Sequence, residues 1–179
     1  MRGTAQDIEI KSMRAYMGVD TRMSRKGITM ARRAHSGPED CNCLAVRQAA
    51  RHVTQFYDQF LAPSGLRTTQ FSILAKLRRL GPMTINALAA EMVMDRTTLG
   101  RNILPLERDG LIAVGRGSRD RRSKELQVTE AGEARFRAAT KGWVQAQQQF
   151  EKAFGAKRTT DMRALLRAVA ATDLGPTAV

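Results

Sequence analysis

The chain has 179 residues, of which 42% are hydrophobic, enough for one domain with a core of its own. No apolar run is long enough to span a membrane, and no signal-peptide core follows Arg2, so we expect a cytoplasmic protein without a membrane partner. The formal net charge of +13 favours a polyanionic partner, above all nucleic acid. GC-rich genomes, in which Arg replaces Lys, also give basic surfaces, so charge alone leaves both interpretations open.

Residues 1–40 differ in composition from the rest of the chain. Apolar residues are sparse and unpatterned there, Met and Arg are frequent, and the polar run HSGPED closes the segment. This composition predicts a flexible, basic N-terminal arm. Met13, Met17, Met23 and Met30 offer later start points, and an over-extended gene start explains the segment equally well.

Three segments with apolar residues at helical spacing come next. The first predicted helix runs from about Cys43 to Leu61, and the second from about Thr68 to Leu80. Thr84 stands where it can cap a short third helix. The apolar positions expected on one face of the first helix are Val46, Ala50, Val53, Phe56, Phe60 and Leu61.

The stretch VMDRTTLGRNILPLERDGLI predicts a fourth helix with an unusually polar front. Asp95 can cap its first turn, Leu99, Ile103 and Leu106 recur on one buried face, and Gly110 stands where a helix usually stops. A helix that only fills a core has no need of polar early turns, whereas one that enters a nucleic-acid groove does. The polar residues of these turns are Arg96, Thr97, Thr98, Arg101 and Asn102.

A hairpin and two more helices complete the predicted elements. Strand candidates at 111–114 and 125–128 flank the loop GRGSRDRRSK, and Thr129 can cap a long helix over about 130–154. A last helix is expected over about 160–171. The long helix carries a stripe with no obvious partner in so small a chain, so we expect it to pack between two chains of a homodimer. The stripe consists of Phe136, Thr140, Trp143, Gln147, Phe150 and Phe154.

This order of elements predicts a mostly α fold with a small β-hairpin wing, a winged helix-turn-helix with a helical dimerisation region. The major groove of B-DNA admits an α-helix, whose front residues reach the base edges. Arginines of a wing suit a narrow minor groove. The wing candidates are Arg116, Arg119, Arg121 and Arg122. A solvated helix face and a charged turn is the alternative for either element alone.

The runs DRTTLGRNILPLERDGLI and DRRSKELQVTEAG resemble the MarR family of bacterial transcription regulators. The resemblance covers about residues 43–171 and implies a family domain over 41–174, with its winged helix over about 65–129. Helices at about 43–61 and 130–171 would then join two chains. The matching signature residues are Leu106, Glu107, Gly110 and Leu111 in the helix, then Asp120, Arg122, Leu126, Thr129 and Gly132 around the wing.

The resemblance implies a homodimeric regulator, by our prediction a repressor, that binds a pseudo-palindromic site in double-stranded DNA. Arg122 would enter the minor groove, with Asp120 steadying it. The resemblance also implies a small-molecule effector, typically an aromatic acid, in a cleft between the dimer helices and the winged unit. The candidate effector contacts are Arg47, Arg51, His52, Tyr57, Gln70 and Phe71.

The two cysteines raise a separate possibility. Cys43 falls where the organic hydroperoxide branch of the family carries a reactive cysteine, but Thr68 and Phe71 stand where that branch has tyrosines. We therefore favour a small buried residue at Cys43, with a thiol-based redox sensor as the alternative. Cys41 and Cys43 have one residue between them, whereas zinc ligand pairs usually have two to four, so no metal site is predicted.

Enzyme signatures are absent from the sequence. It has no Gly-rich phosphate loop, no G-x-S-x-G and no H-E-x-x-H, so we expect neither catalysis nor a cofactor. A winged-helix interaction module that does not bind DNA is the alternative from another functional class.

Overall fold

The computed structural model describes residues 37–117 and 123–175. Most of these residues are helical, and the unit that carries the helices begins at Cys41. The predicted arm lies outside the described residues, except for a 3-10 turn at Pro38–Asp40. The helices are α1 (Asn42–Leu61), α2 (Thr68–Leu80), α3 (Ile85–Met92), α4 (Arg96–Arg108), α5 (Glu130–Phe154) and α6 (Ala156–Ala171).

A small antiparallel sheet accompanies the helices. Its strands are β1 (Met83–Thr84), β2 (Ile112–Arg116) and β3 (Lys124–Val128), and β3 lies between the other two. Leu126 of β3 stands opposite both Met83 and Val114. The predicted hairpin is therefore confirmed, and β1 adds a third strand that the sequence analysis did not predict.

Threonine and aspartate side chains cap the N-termini of three helices, as predicted. The side-chain oxygens of Thr84, Asp95 and Thr129 accept hydrogen bonds from backbone N–H groups in the first turns of α3, α4 and α5. These bonds satisfy donors that a helix start otherwise leaves free. Gly110 follows α4 with a φ of +69°, a conformation that glycine adopts without steric cost.

The core lies where the helices of the winged unit meet the sheet and α5. Phe136 and Trp143 of α5 pack against this core, although neither is fully buried. The predicted burial of Leu99, Ile103 and Leu106 on one face of α4 is confirmed. The most completely buried side chains are Leu61, Ile73, Leu74, Leu88, Leu99, Leu106 and Ile112, joined by Thr159 of α6.

The α5 stripe has partners inside its own chain, which corrects the prediction that it lacked them. The Phe136 ring stacks on Phe71 of α2 with 4.6 Å between centroids, and Trp143 lies 6.0 Å from the same ring. Phe150 lies 6.3 Å from Phe56 of α1. The sequence analysis missed these contacts because α1 and α2 lie far from α5 along the chain.

Several exposed apolar residues lie on the first and last helices. Val46 of α1 is 46% exposed, and Ala50 is also exposed, so the predicted face of α1 is covered only toward its C-terminal end. Leu165 and Val169 of α6 are 68% and 55% exposed. This last helix begins at Ala156, four residues earlier than expected.

α1 and α5 cross at very short distance. A Cβ at Gly142 would collide with the carbonyl oxygen of Phe60, so only glycine allows this crossing. None of the helices within 37–117 and 123–175 is long and apolar enough to cross a membrane.

Candidate nucleic-acid interface

The front of α4 is exposed and polar. Its first turn is held by Asp95, whose Oδ1 accepts a hydrogen bond from the Thr98 N–H at 2.8 Å. Hydrogen bonds from Thr98 and from the backbone hold the pKa of this carboxyl below its usual range, so it carries the negative charge that a helix N-terminus favours. The exposed side chains of these first turns are Arg96, Thr97, Thr98 and Arg101.

Asn102 has a different environment from the other predicted contacts on α4. It is half-buried, and its Nδ2 donates to the Thr98 carbonyl oxygen at 2.8 Å. One of its amide hydrogens is thus used within the helix. The second N–H and the carbonyl oxygen of the Asn102 amide remain for the predicted contact with a base or phosphate.

The described part of the wing brings two cations together. β2 pairs with β3 so that Arg116 stands directly opposite Lys124, and both side chains are exposed. Like charges opposite each other destabilise a sheet, whereas an anion lying between them removes the repulsion. The other predicted wing residues, Arg119, Asp120, Arg121 and Arg122, lie outside the described residues.

Sequence reasoning missed Lys124 as a candidate. It was assigned to the loop, yet it opens β3 and completes the cationic pair with Arg116. In an antiparallel hairpin that pairs Val114 with Leu126, Arg116 stands opposite Lys124. The register of the hairpin is therefore the signal that identifies Lys124.

A groove of about 620 Å³ separates α4 from the wing strands. Its rim carries Arg96, Arg116 and Lys124, so the cations of the helix and of the wing border one concave surface. Leu104, which is 62% exposed, contributes an apolar wall. The remaining lining residues are Ile85, Gly100, Ile103, Glu107, Val114, Gly115 and Leu126.

The predicted effector contacts fall into two sets. Arg47, Arg51 and His52 are exposed on α1. Tyr57 and Phe71 are buried in separate aromatic contacts, with Phe150 and with Phe136.

Tyr57 and Gln70, two of the predicted effector contacts, already interact with groups of their own chain. Burial raises the pKa of the Tyr57 hydroxyl, with Arg163 acting in the opposite direction and Glu151 in the same direction. The Oε1 of Gln70 accepts a hydrogen bond from the Arg67 N–H at 2.9 Å at the start of α2. Tyr57 is thus neutral near pH 7, and Gln70 contributes to the helix start.

Both cysteines are exposed, so the prediction of a buried residue at Cys43 is wrong. Cys41 caps α1, where its Sγ accepts from the Leu44 N–H at 3.5 Å, and Cys43 lies in the first helical turn. This end of α1 has no covering element among the described residues, a tertiary property that local sequence does not reveal.

Sequence comparison identifies the winged unit. The sequence model of the MarR family matches residues 66–124, which include α2, α4 and β2. The HTH-type transcriptional regulator YwoH of Bacillus subtilis is 31% identical over 91 residues, which are 51% of this chain and 66% of YwoH. The transcriptional activatory protein BadR of Rhodopseudomonas palustris is 30% identical over 115 residues, 62% of this chain and 66% of BadR. These matches span just under two thirds of each relative.

Solved structures extend the likeness beyond the winged unit. The M. tuberculosis transcriptional regulator MosR is 35% identical, with a TM-score of 0.64 over 75% of this chain and 98% of MosR. MosR in complex with DNA is 37% identical, with a TM-score of 0.63 over 74% of this chain and 98% of that one. The chain therefore belongs to the MarR family, whose members are non-enzymatic, DNA-binding transcriptional regulators.

Proposed function

We propose that the chain acts in the cytoplasm as a homodimeric repressor that binds a pseudo-palindromic operator in double-stranded DNA. Residues 41–174 form the regulator, with the winged helix over about 65–129 and dimerisation helices over about 43–61 and 130–171. Arg96, Thr97, Thr98 and Arg101 of α4, together with Asn102, read the major groove. We propose repression as the mode of regulation, although BadR is named as an activator.

The pairing of Arg116 with Lys124 is the observation that carries this proposal. Two opposed cations repel each other, and DNA phosphates supply anions that would relieve this repulsion. Arg96 at the front of α4 borders the same groove as these two residues. One polyanion can therefore satisfy the helix and the wing together.

The exposed apolar residues of α1 and α6 support the dimer. Leu44 and Val46 near the start of α1 are 42% and 46% exposed, and Leu165, Leu166 and Val169 of α6 are also exposed. Burying the exposed part of such side chains against a second copy contributes roughly 25 cal/mol for each Å² of apolar surface covered. Two winged units held in this way would meet successive half-sites of an operator.

An effector is proposed to change the distance between the two α4 helices. Such a ligand must bind the two arrangements of the dimer unequally, because equal binding shifts no equilibrium. Arg47 and Arg51 offer cations to an aromatic acid, His52 offers a hydrogen-bonding imidazole, and Tyr57, Gln70 and Phe71 would supply the apolar and polar walls of the cleft. We propose all six residues as contacts of the effector.

Fluorescence anisotropy on a mixed-sequence duplex tests the DNA-binding part directly. We expect log K to fall linearly with log salt concentration, because each neutralised phosphate releases counterions. Absence of binding at low salt would favour an interaction module instead. Repeating the titration on a selected operator with aromatic carboxylates then tests the effector.

A thiol-sensing regulator is the second candidate, and the exposure of Cys43 favours it. A free thiol is accessible to oxidants when solvent reaches it. Stoichiometric hydroperoxide should then abolish operator binding by the wild type and spare Cys43→Ser, with Cys41→Ser as the matched control. Equal binding by treated and untreated wild type would remove this candidate.

A further inference from the structure

We propose that Thr129 is a positioning residue for DNA recognition, because it fixes the end of α4 to the beginning of α5. This inference rests on the proposed dimer, in which α4 reads DNA and α5 belongs to the region that joins the two chains. Thr129 lies between these two elements, so it would act on DNA recognition through the position of α4.

The Thr129 hydroxyl makes two hydrogen bonds in opposite directions. Its Oγ1 donates to the carbonyl oxygen of Gly110 at 2.6 Å and accepts from the Gly132 N–H at 3.0 Å. A hydroxyl can do both at once because it has one donor and two lone pairs. One side chain thus bridges the residue that ends α4 and the first turn of α5.

The Gly110 end of this bridge moves with α4. The Gly110 N–H donates to the Glu107 carbonyl oxygen at 2.9 Å, and the Leu111 N–H donates to the Leu106 carbonyl oxygen at 2.8 Å. These two bonds close the C-terminal turn of the helix. A shift of Gly110 relative to α5 is therefore a shift of α4.

The α5 end of the bridge is equally close-fitting. The Thr129 N–H donates to the Leu111 carbonyl oxygen at 3.1 Å, and a Cβ at Gly132 would collide with that same oxygen. The Val128 Cγ1 would lie only 2.7 Å from such a Cβ. The start of α5 therefore packs directly against Leu111, the residue after Gly110, so a small change at Thr129 changes the angle between α4 and α5.

A second clamp holds α2, but not α4, against α5. The Arg78 guanidinium Nε lies 2.7 Å from both carboxylate oxygens of Glu133. Loss of the two Thr129 side-chain bonds would leave this pair and the backbone bond from Thr129 to Leu111 in place, so the winged unit stays attached to α5 while Gly110 and the end of α4 are held less firmly. Half-sites lie one helical turn apart, about 34–36 Å, so a tilt at the junction changes which spacing the dimer fits.

The test measures affinity for operators whose half-site spacing is changed by one and two base pairs. Thr129→Val removes both hydrogen bonds. Thr129→Asp keeps an acceptor for the Gly132 N–H but cannot donate to Gly110 when ionised, and Thr129→Ser keeps both bonds. Thr84→Val is the matched control, because the Thr84 Oγ1 caps α3 by accepting from the Ala87 N–H.

We expect the wild type, Thr129→Ser and Thr84→Val to prefer one spacing. Thr129→Val and Thr129→Asp should lose about two- to tenfold of that preference, the range expected for one hydrogen bond. General loss of stability lowers affinity for every operator alike, so it does not change the preference between spacings. Thr129→Asp retains the cap of α5, so it still tests the inference if Thr129→Val fails to fold.

An unchanged spacing preference in Thr129→Asp would overturn the inference, as would an equal loss in Thr84→Val. A wild type that binds DNA as a monomer, or without any spacing preference, would instead overturn the proposed dimeric function on which the inference rests.

Discussion

The rings of Phe71 and Phe136 are nearly parallel, with 10° between their planes and 4.6 Å between their centroids. The central carbon of the Arg78 guanidinium lies over the Phe136 ring, 4.3 Å from its centroid. Stacking and cation–π contacts of this kind join the winged unit to α5 within one chain. Phe136 is thus engaged within its own chain, and the exposed apolar residues of α1 and α6 are the surface that we propose for contact with a second chain.

A charge on that face should separate the dimer. Leu165 is 68% exposed, so Leu165→Asp should leave the fold of the chain intact while placing a carboxylate in the chain–chain contact, where its burial is costly. We expect a shift from dimer to monomer at micromolar concentration by light scattering, together with loss of cooperative operator binding.

Leu174→Asp is the control, since Leu174 is 85% exposed and lies beyond the end of α6. A wild type that is already monomeric, or a Leu165→Asp protein that stays dimeric, would show that this face does not join the chains.

The arginines at the front of α4 should carry sequence preference. Arg96→Ala or Arg101→Ala should cost about 1–3 kcal/mol on the operator and relax the preference at one base pair each. Arg108→Ala is the matched control, because Arg108 lies on the last turn of α4 and pairs with Asp109. Specificity that is unchanged in both front variants would remove these residues from base recognition.

The wing arginines should separate into two kinds. Each of Arg116→Ala, Arg119→Ala and Arg121→Ala should lower the salt slope of log K by about one unit, with similar weakening on all sequences, because a phosphate contact is lost. Arg122→Ala should also reduce the preference for A·T-rich flanks, because a narrow minor groove attracts its charge. Titrations on an operator and on a flank-swapped copy measure both effects. Identical behaviour of all four variants would argue against a minor-groove role for Arg122.

The contribution of the Asp95 cap to stability should depend on pH in the acid range. Hydrogen bonds lower the pKa of Asp95 in the folded chain, so its stabilising effect is complete above the ordinary value of 3.8 and is lost as the pH falls through the lower folded value. The stability difference between wild type and Asp95→Ala, measured by urea unfolding, should therefore shrink between neutral pH and pH values below that range. A difference independent of pH would mean that the carboxylate charge plays no part in the cap.

Val93 should be a site of backbone strain. It has a φ of 51° in the turn between α3 and α4, a left-handed conformation that a β-branched residue rarely adopts. Val93→Asn should stabilise the chain by about 1 kcal/mol, which corresponds to a rise of about 2–4 °C in Tm for a domain of this size.

Gly110→Ala should have the opposite effect, because Gly110 has a φ of +69° and a Cβ there would meet no atom within 4 Å. Calorimetry measures the Tm of the two variants, and the difference from the wild type reports mainly the backbone strain at each position. A lower Tm for Val93→Asn would contradict the strain at this turn.

The elements that the sequence predicts best are those fixed by neighbours in the chain. The start of α5 at Glu130 follows from the cap Thr129, and the buried face of α4 follows from the spacing of Leu99, Ile103 and Leu106. β1 has only two residues and thus no periodicity to detect. The partners of the α5 stripe and the exposure of Cys43 depend on packing between distant segments, which local patterns do not contain.

A binding-site selection on random duplexes, with the wild type and an Arg96→Ala, Arg101→Ala double variant, tests the central claim most directly. We predict that the wild type enriches a two-fold symmetric sequence with half-sites about one helical turn apart. The double variant should retain weak, salt-sensitive binding but lose that sequence. Enrichment of no sequence by the wild type, or of the same sequence by both proteins, would contradict recognition through α4.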